Sequence, residues 1–157
     1  MGKKIIMKHI RYIGFLFLFV FASAQKGTAE KVLFVGNSFT FYFNLPLVVE
    51  SMAKEKDIDL DVYQSTAGGA SLKDHWTGKK NLSTKNKIQN GRFDKIILQD
   101  YSTNPVKKPQ EAMDYFKRFI DLSESVNANV YIYGTWPVPL MKGTSYDGID
   151  PIQYALK

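Results

Sequence analysis

Apolar and polar residues change places along this chain in blocks, and the blocks alternate between two periodicities. Lys31-Val32-Leu33-Phe34-Val35 is a short, nearly continuous apolar run closed by Gly36, the pattern of a strand buried on both faces. Leu45, Val48, Val49, Met52 and Ala53 then recur at helical spacing, with Glu50, Lys54 and Glu55 on the other side and Pro46 suited to the first turn. Residues 60–65, with Val62 and Tyr63, predict a second strand that runs out in Thr66-Ala67-Gly68-Gly69. Residues 77–92 are polar and lysine-rich and predict an irregular excursion with a single helical turn. Residues 95–99 predict a third strand. Ala112, Met113, Phe116, Phe119 and Ile120 mark a second amphipathic helix, with Asp114 and Arg118 placed for an ion pair one turn apart. Residues 130–133, before Gly134, predict a fourth strand.

Strand and helix in alternation give an α/β fold with a parallel sheet covered on both faces. Ligands in such sheets sit beyond the carboxyl ends of the strands, so chemistry is to be sought in loops 36–43, 66–76, 99–109 and 134–146. No repeat or low-complexity stretch interrupts the pattern.

The first residues follow a different rule. Lys3, Lys4, Lys8 and Arg11 form a basic segment with no acid, residues 13–21 are apolar, and Ala22-Ser23-Ala24 supplies small residues for a peptidase. Residues 1–24 therefore read as a secretory signal peptide, with residues 25–157 as one domain and a periplasmic or secreted destination. The apolar run is shorter than the roughly 20 residues that span a bilayer, and no cysteine follows it for lipidation, so no stable membrane anchor is expected after cleavage.

Removal of the leader changes the charge. Four of the 21 basic residues leave with it, and the remaining 17 stand against 15 acids, a net charge of +2. The lysines are interspersed with acids rather than gathered in a stripe, which argues against a nucleic-acid partner. The chain has no cysteine, which excludes disulfides, thiolate metal sites and a cysteine nucleophile. Past the leader, His75 is the sole histidine, so a multi-histidine metal site is excluded too, and neither metal nor cofactor is expected.

Three loops carry candidate chemistry. Gly36-Asn37-Ser38-Phe39-Thr40 sets a serine just past a strand, either as a helix-capping residue or as a nucleophile. The Gly-x-Ser-x-Gly elbow is absent, since Thr40 occupies the place of its second glycine, and so is a phosphate-binding glycine loop. Gly68-Gly69 allows close backbone approach, for a tight turn or for N–H groups aimed at an oxyanion. Gln99 closes an apolar strand, where a buried amide must serve a network: it either donates to an oxyanion or ties two loops together.

Taken together, these loops resemble those of the SGNH/GDSL-type hydrolases, in the branch that carries Gly-Asn-Ser-Phe-Thr in place of Gly-Asp-Ser. The resemblance runs from Val32 to Trp136 and includes Gly134-Thr135-Trp136 after the fourth strand. It implies a three-layer α/β/α, flavodoxin-like fold and a serine esterase. By resemblance, Ser38 is the nucleophile and Gly69 an oxyanion-hole N–H, with Gln99 in the place of the usual third-block asparagine and Asn104 as a weaker candidate. Asn37, His75 and Asn104 fall on the substrate side. His75 belongs to the branch's Gly-Gly-x-Ser-Leu…His pattern, with a substrate-contacting or structural role, and Trp76 either stacks on a sugar or packs internally.

The family's catalytic Asp-x-x-His follows a fifth strand. Asp147 and Asp150 lie in a glycine-containing stretch with no histidine after either, so the resemblance implies a fold incomplete at its C-terminus. Serine without a base is a poor nucleophile. Two function classes follow: an exported esterase acting on small-molecule or polysaccharide esters, acetyl groups on carbohydrate among them, and a truncated, inactive remnant or carbohydrate-binding module of the same fold. A flavodoxin-like binding module is a third, with no phosphate loop to support it.

Overall fold

A computed structural model describes residues 28–135. The leader, Trp136, Asp147 and Asp150 lie outside the described residues. Four parallel strands form one sheet: β1 (Glu30–Gly36), β2 (Leu60–Thr66), β3 (Lys95–Leu98) and β4 (Asn129–Ile132), in the order β2-β1-β3-β4. Val32 pairs with Val62 on one side and with Lys95 on the other, which fixes the register of β2 and β3 against β1.

The helices are α1 (Ser38–Phe41), α2 (Leu45–Lys54), α3 (Leu72–Thr77), α4 (Thr84–Gly91), α5 (Asn104–Lys107) and α6 (Pro109–Glu124). Crossovers between parallel strands are right-handed, so the direction in which the sheet grows decides which face each helix covers. The chain moves from β1 to β2 one way and then returns past β1 to β3 and β4 the other way. The crossover through α2 therefore lies on one face, and α3, α4 and α6 lie on the other. The result is a three-layer α/β/α arrangement whose order reverses between β1 and β3. In this architecture that is the place where a crevice opens.

Strand alternation divides the core accordingly. Leu33 and Val35 of β1, with Ile96 and Leu98 of β3, are fully buried against Leu72, Ile88, Ala112, Phe116 and Phe119. Val32 and Phe34 point to the opposite face and are buried as well, so β1 is covered on both sides as its unbroken apolar run requires. Trp76 packs edge-on against Phe119 at 5.2 Å between ring centroids, so its packing role is the one realised.

Several local expectations are corrected. The lysine-rich excursion holds a full two-turn helix, α4, anchored by Thr84 and Ile88, which are both completely buried four positions apart. Residues 72–77, expected to be loop, form α3. Ser71 Oγ accepts the Asp74 N–H while the Asp74 carboxylate accepts the Ser71 N–H, a reciprocal cap that starts the helix. On α2, Val48 and Met52 are exposed and Pro46 is buried, because five consecutive apolar residues from Leu45 to Val49 define no single face. Asp114 and Arg118 do not pair. Asp114 accepts from Gln110, and the Arg118 guanidinium lies over the rings of Trp76 and Tyr115.

Candidate active site

Ser38 is the first residue of α1, two positions beyond the buried Gly36 that ends β1. It lies at the sheet's carboxyl edge beside the point where strand order reverses. Its side chain is half-buried, and no described residue hydrogen-bonds its hydroxyl or its N–H.

What holds Ser38 there is the residue before it. Asn37 is 1% exposed, caps α1 by accepting the Phe39 N–H on Oδ1 (3.2 Å), and donates its Nδ2 to the carbonyls of Ala70 (2.9 Å) and Asp100 (3.3 Å). Carbonyls only accept, so the orientation of the amide is fixed by its partners. One side chain thus joins the three loops that follow β1, β2 and β3. The Asn37 backbone N–H donates to Gln99 Oε1 at 2.9 Å, and Thr40 Oγ1 donates to the same atom at 3.0 Å. Gln99 Nε2 donates to the Asp100 carbonyl.

Gln99 is 1% exposed, and its amide is engaged within the protein. Of its two sequence readings, the one that ties loops together is the one this geometry displays. Asn37 and His75 are likewise bonded inward within the protein. Asn37 donates and accepts internally, and both His75 ring nitrogens have buried partners, Gly36 O at 2.9 Å and Thr84 Oγ1 at 2.7 Å. Burial holds the His75 pKa below its ordinary value, against the opposing bond to Gly36.

The second loop makes a four-residue turn closed by Ala70 N–H to Ala67 O at 3.1 Å. Gly69, its third residue, has φ +61°, a conformation that favours glycine, and is exposed one residue from the carbonyl that Asn37 holds. In the third loop, Asp100 Oδ1 accepts N–H groups from Leu72 (2.8 Å) and Tyr101 (2.7 Å). Burial pushes the Asp100 carboxyl up, with those bonds opposing it. Asn104 is half-buried, and its amide makes one long bond, 3.4 Å, to that carboxylate. Ser71 is committed to its cap with Asp74.

Gly36 is required by contact rather than by backbone angle. A Cβ there would stand 2.3 Å from Thr40 Oγ1 and 2.5 Å from Gln99 Oε1. Sequence reasoning missed Thr40, Ser65, Thr84 and Asp100 as members of this assembly. The spacing Ser71-x-x-Asp74 is the sequence signal that could have revealed the cap of α3.

No protein-family model matches the sequence, and no curated protein sequence matches it. Solved structures do match. A protein from Slackia heliotrinireducens, assigned to the SGNH hydrolases, superposes with a TM-score of 0.69 at 23% identity, over 82% of this chain and 72% of its own. A mutant of esterase AlinE4 superposes with a TM-score of 0.59 at 12% identity, over 84% of this chain and 72% of its own. The chain has the SGNH-hydrolase fold. A third similar structure is the periplasmic domain of the lipopolysaccharide acetyltransferase of Salmonella ser. Paratyphi A. Its TM-score is 0.53 at 20% identity, over 71% of this chain and 47% of that domain. These neighbours thus include an SGNH hydrolase, an esterase and a domain of an acetyltransferase.

Proposed function

We propose that this protein is an exported serine esterase of the SGNH type that removes acyl groups, acetyl among them, from carbohydrate. The observation that carries the reading is the position of Ser38, held at the sheet's switch point by an asparagine bonded to both neighbouring loops. Ser38 Oγ attacks the ester carbonyl, and the tetrahedral oxyanion is received by the N–H groups of Ser38 and Gly69. Its collapse breaks the ester C–O bond, releasing the sugar hydroxyl and leaving an acyl-serine that water hydrolyses. Gln99 acts behind them by fixing the turn, and Asn104 is the third-loop amide able to reach a ligand. The proton of Ser38 goes to a base outside the described residues, because His75, the one imidazole among them, faces Gly36 and Thr84.

The test is release of acetate from an acetylated polysaccharide and from p-nitrophenyl acetate by the protein isolated from the cell that makes it. Ser38→Ala should lower turnover by roughly three powers of ten or more, leaving what the oxyanion donors alone supply. Equal turnover by both proteins would contradict the reading. The engagement of both His75 nitrogens favours a second reading, a non-catalytic carbohydrate-binding relative. It predicts retention of the polysaccharide with no turnover that depends on Ser38.

A further inference from the structure

We propose that His75 is a positioning residue, a neutral imidazole protonated on Nε2 that holds the Gly36–Asn37–Ser38 turn from behind. The proposal rests on the reading of Ser38 as nucleophile for its consequence, though not for its geometry. His75 is 1% exposed, Thr84 0% and Ser65 2%. Nε2 stands 2.9 Å from the Gly36 carbonyl, which can only accept, so Nε2 carries the hydrogen. In the neutral ring Nδ1 is then the acceptor, and at 2.7 Å the Thr84 hydroxyl must donate to it. Thr84 Oγ1 in turn receives the Ser65 hydroxyl at 2.9 Å. One carbonyl therefore sets the direction of every bond in the chain.

The chain of bonds runs from Ser65 in β2 through Thr84 in α4 and His75 in α3 to the last residue of β1. It connects the lysine-rich excursion to a carbonyl two residues before Ser38. The Ala67 N–H, at 3.4 Å, is a weak second partner of the same carbonyl, so His75 supplies its main restraint. The charged groups acting on the ring are Asp74 on its own helix and Lys87 on α4, and they oppose one another. Burial decides the balance in favour of the neutral form. The ring does not hydrogen-bond Ser38, so its part is to position rather than to take the proton.

The test is ¹⁵N NMR of the imidazoles in the full chain. His9 and His75 are the only histidines, and His75→Gln assigns the signals. The expected result is the neutral Nε2–H form of His75 at pH 7, persisting below 6.5; an Nδ1–H tautomer or an imidazolium at pH 7 would overturn the proposal. Two variants then probe the consequence. The side-chain N–H of His75→Gln ends near the position of Nε2, whereas that of His75→Asn ends near Nδ1. The rate at which a fluorophosphonate labels Ser38 should stay near wild type in the first and fall about tenfold or more in the second. Wild-type labelling by His75→Asn would overturn the proposal. The Asn37 and Ser38 backbone amide shifts read the same turn without chemistry, moving in His75→Asn and staying in His75→Gln. If wild type takes no label while this pattern holds, the nucleophile assignment fails and the positioning role stands.

Discussion

The Asn37 backbone N–H and the Gln99 side-chain oxygen meet at 2.9 Å across 62 positions of sequence, and Thr40 donates to that same oxygen. Gln99 is thereby the acceptor at the centre of the turn that presents Ser38, while its own N–H group is spent on the Asp100 carbonyl. A glutamine suits this place because one end must accept and the other must donate.

That division of labour makes Gln99→Glu informative. The substitution keeps the oxygen that receives Asn37 and Thr40 but sets a second oxygen against the Asp100 carbonyl unless the carboxyl is protonated. Burial also favours the protonated form, so the introduced carboxyl should have a folded pKa above its unfolded value of about 4.3. The folded state then binds more protons than the unfolded state, and stability falls as pH rises through that window. The urea midpoint deficit relative to wild type should be larger at pH 8 than at pH 5. A deficit constant with pH would show that the amide's donor end contributes nothing.

Gly36→Ala should be disruptive although the residue's backbone is ordinary. The added methyl would stand closer to Thr40 and Gln99 than real contacts allow, and both neighbours are buried and bonded. Overpacking at such a site costs about 1–3 kcal/mol. The cost should appear as a lower urea midpoint with an unchanged slope, accompanied by shifted amide signals of Asn37. Wild-type stability would mean that the turn yields without loss.

Much of this arrangement was legible in the sequence, and the reasons differ by level. Residues 31–35 announce a central strand because a run buried on both faces has no polar positions to keep. The parallel sheet and the location of Ser38 beyond β1 follow from the alternation of elements. The direction in which polar side chains face was not legible. Asn37, His75 and Gln99 each stand where a ligand contact and an internal tie look alike, because the partner that decides is 33, 39 or 62 positions away. The two-turn α4 escaped for a related reason: its packing depends on Thr84, a polar residue buried by its bonds to His75 and Ser65.

His75 should leave a pH signature in stability. Its folded pKa lies below the unfolded value of 6.5, so the unfolded state binds more protons as pH falls through that range. The stability it contributes is fully present above 6.5 and is lost as pH drops toward the lowered folded value. Asp100, whose pKa is raised, acts with the opposite sign and is common to wild type and variant. The stability advantage of wild type over His75→Gln should therefore be greater at pH 8 than at pH 5. An advantage that grew on acidification would require a charged imidazole in the folded protein.

Covalent labelling tests the assignment of Ser38 most directly. The protein isolated from its producing cell is treated with a fluorophosphonate, digested with trypsin and mapped by mass spectrometry. The account predicts a single modified hydroxyl at Ser38, in the peptide spanning residues 32–54, lost in Ser38→Ala and retained in Ser71→Ala, whose hydroxyl is committed to its bond with Asp74. Labelling at another serine, or equal labelling of wild type and Ser38→Ala, would contradict it.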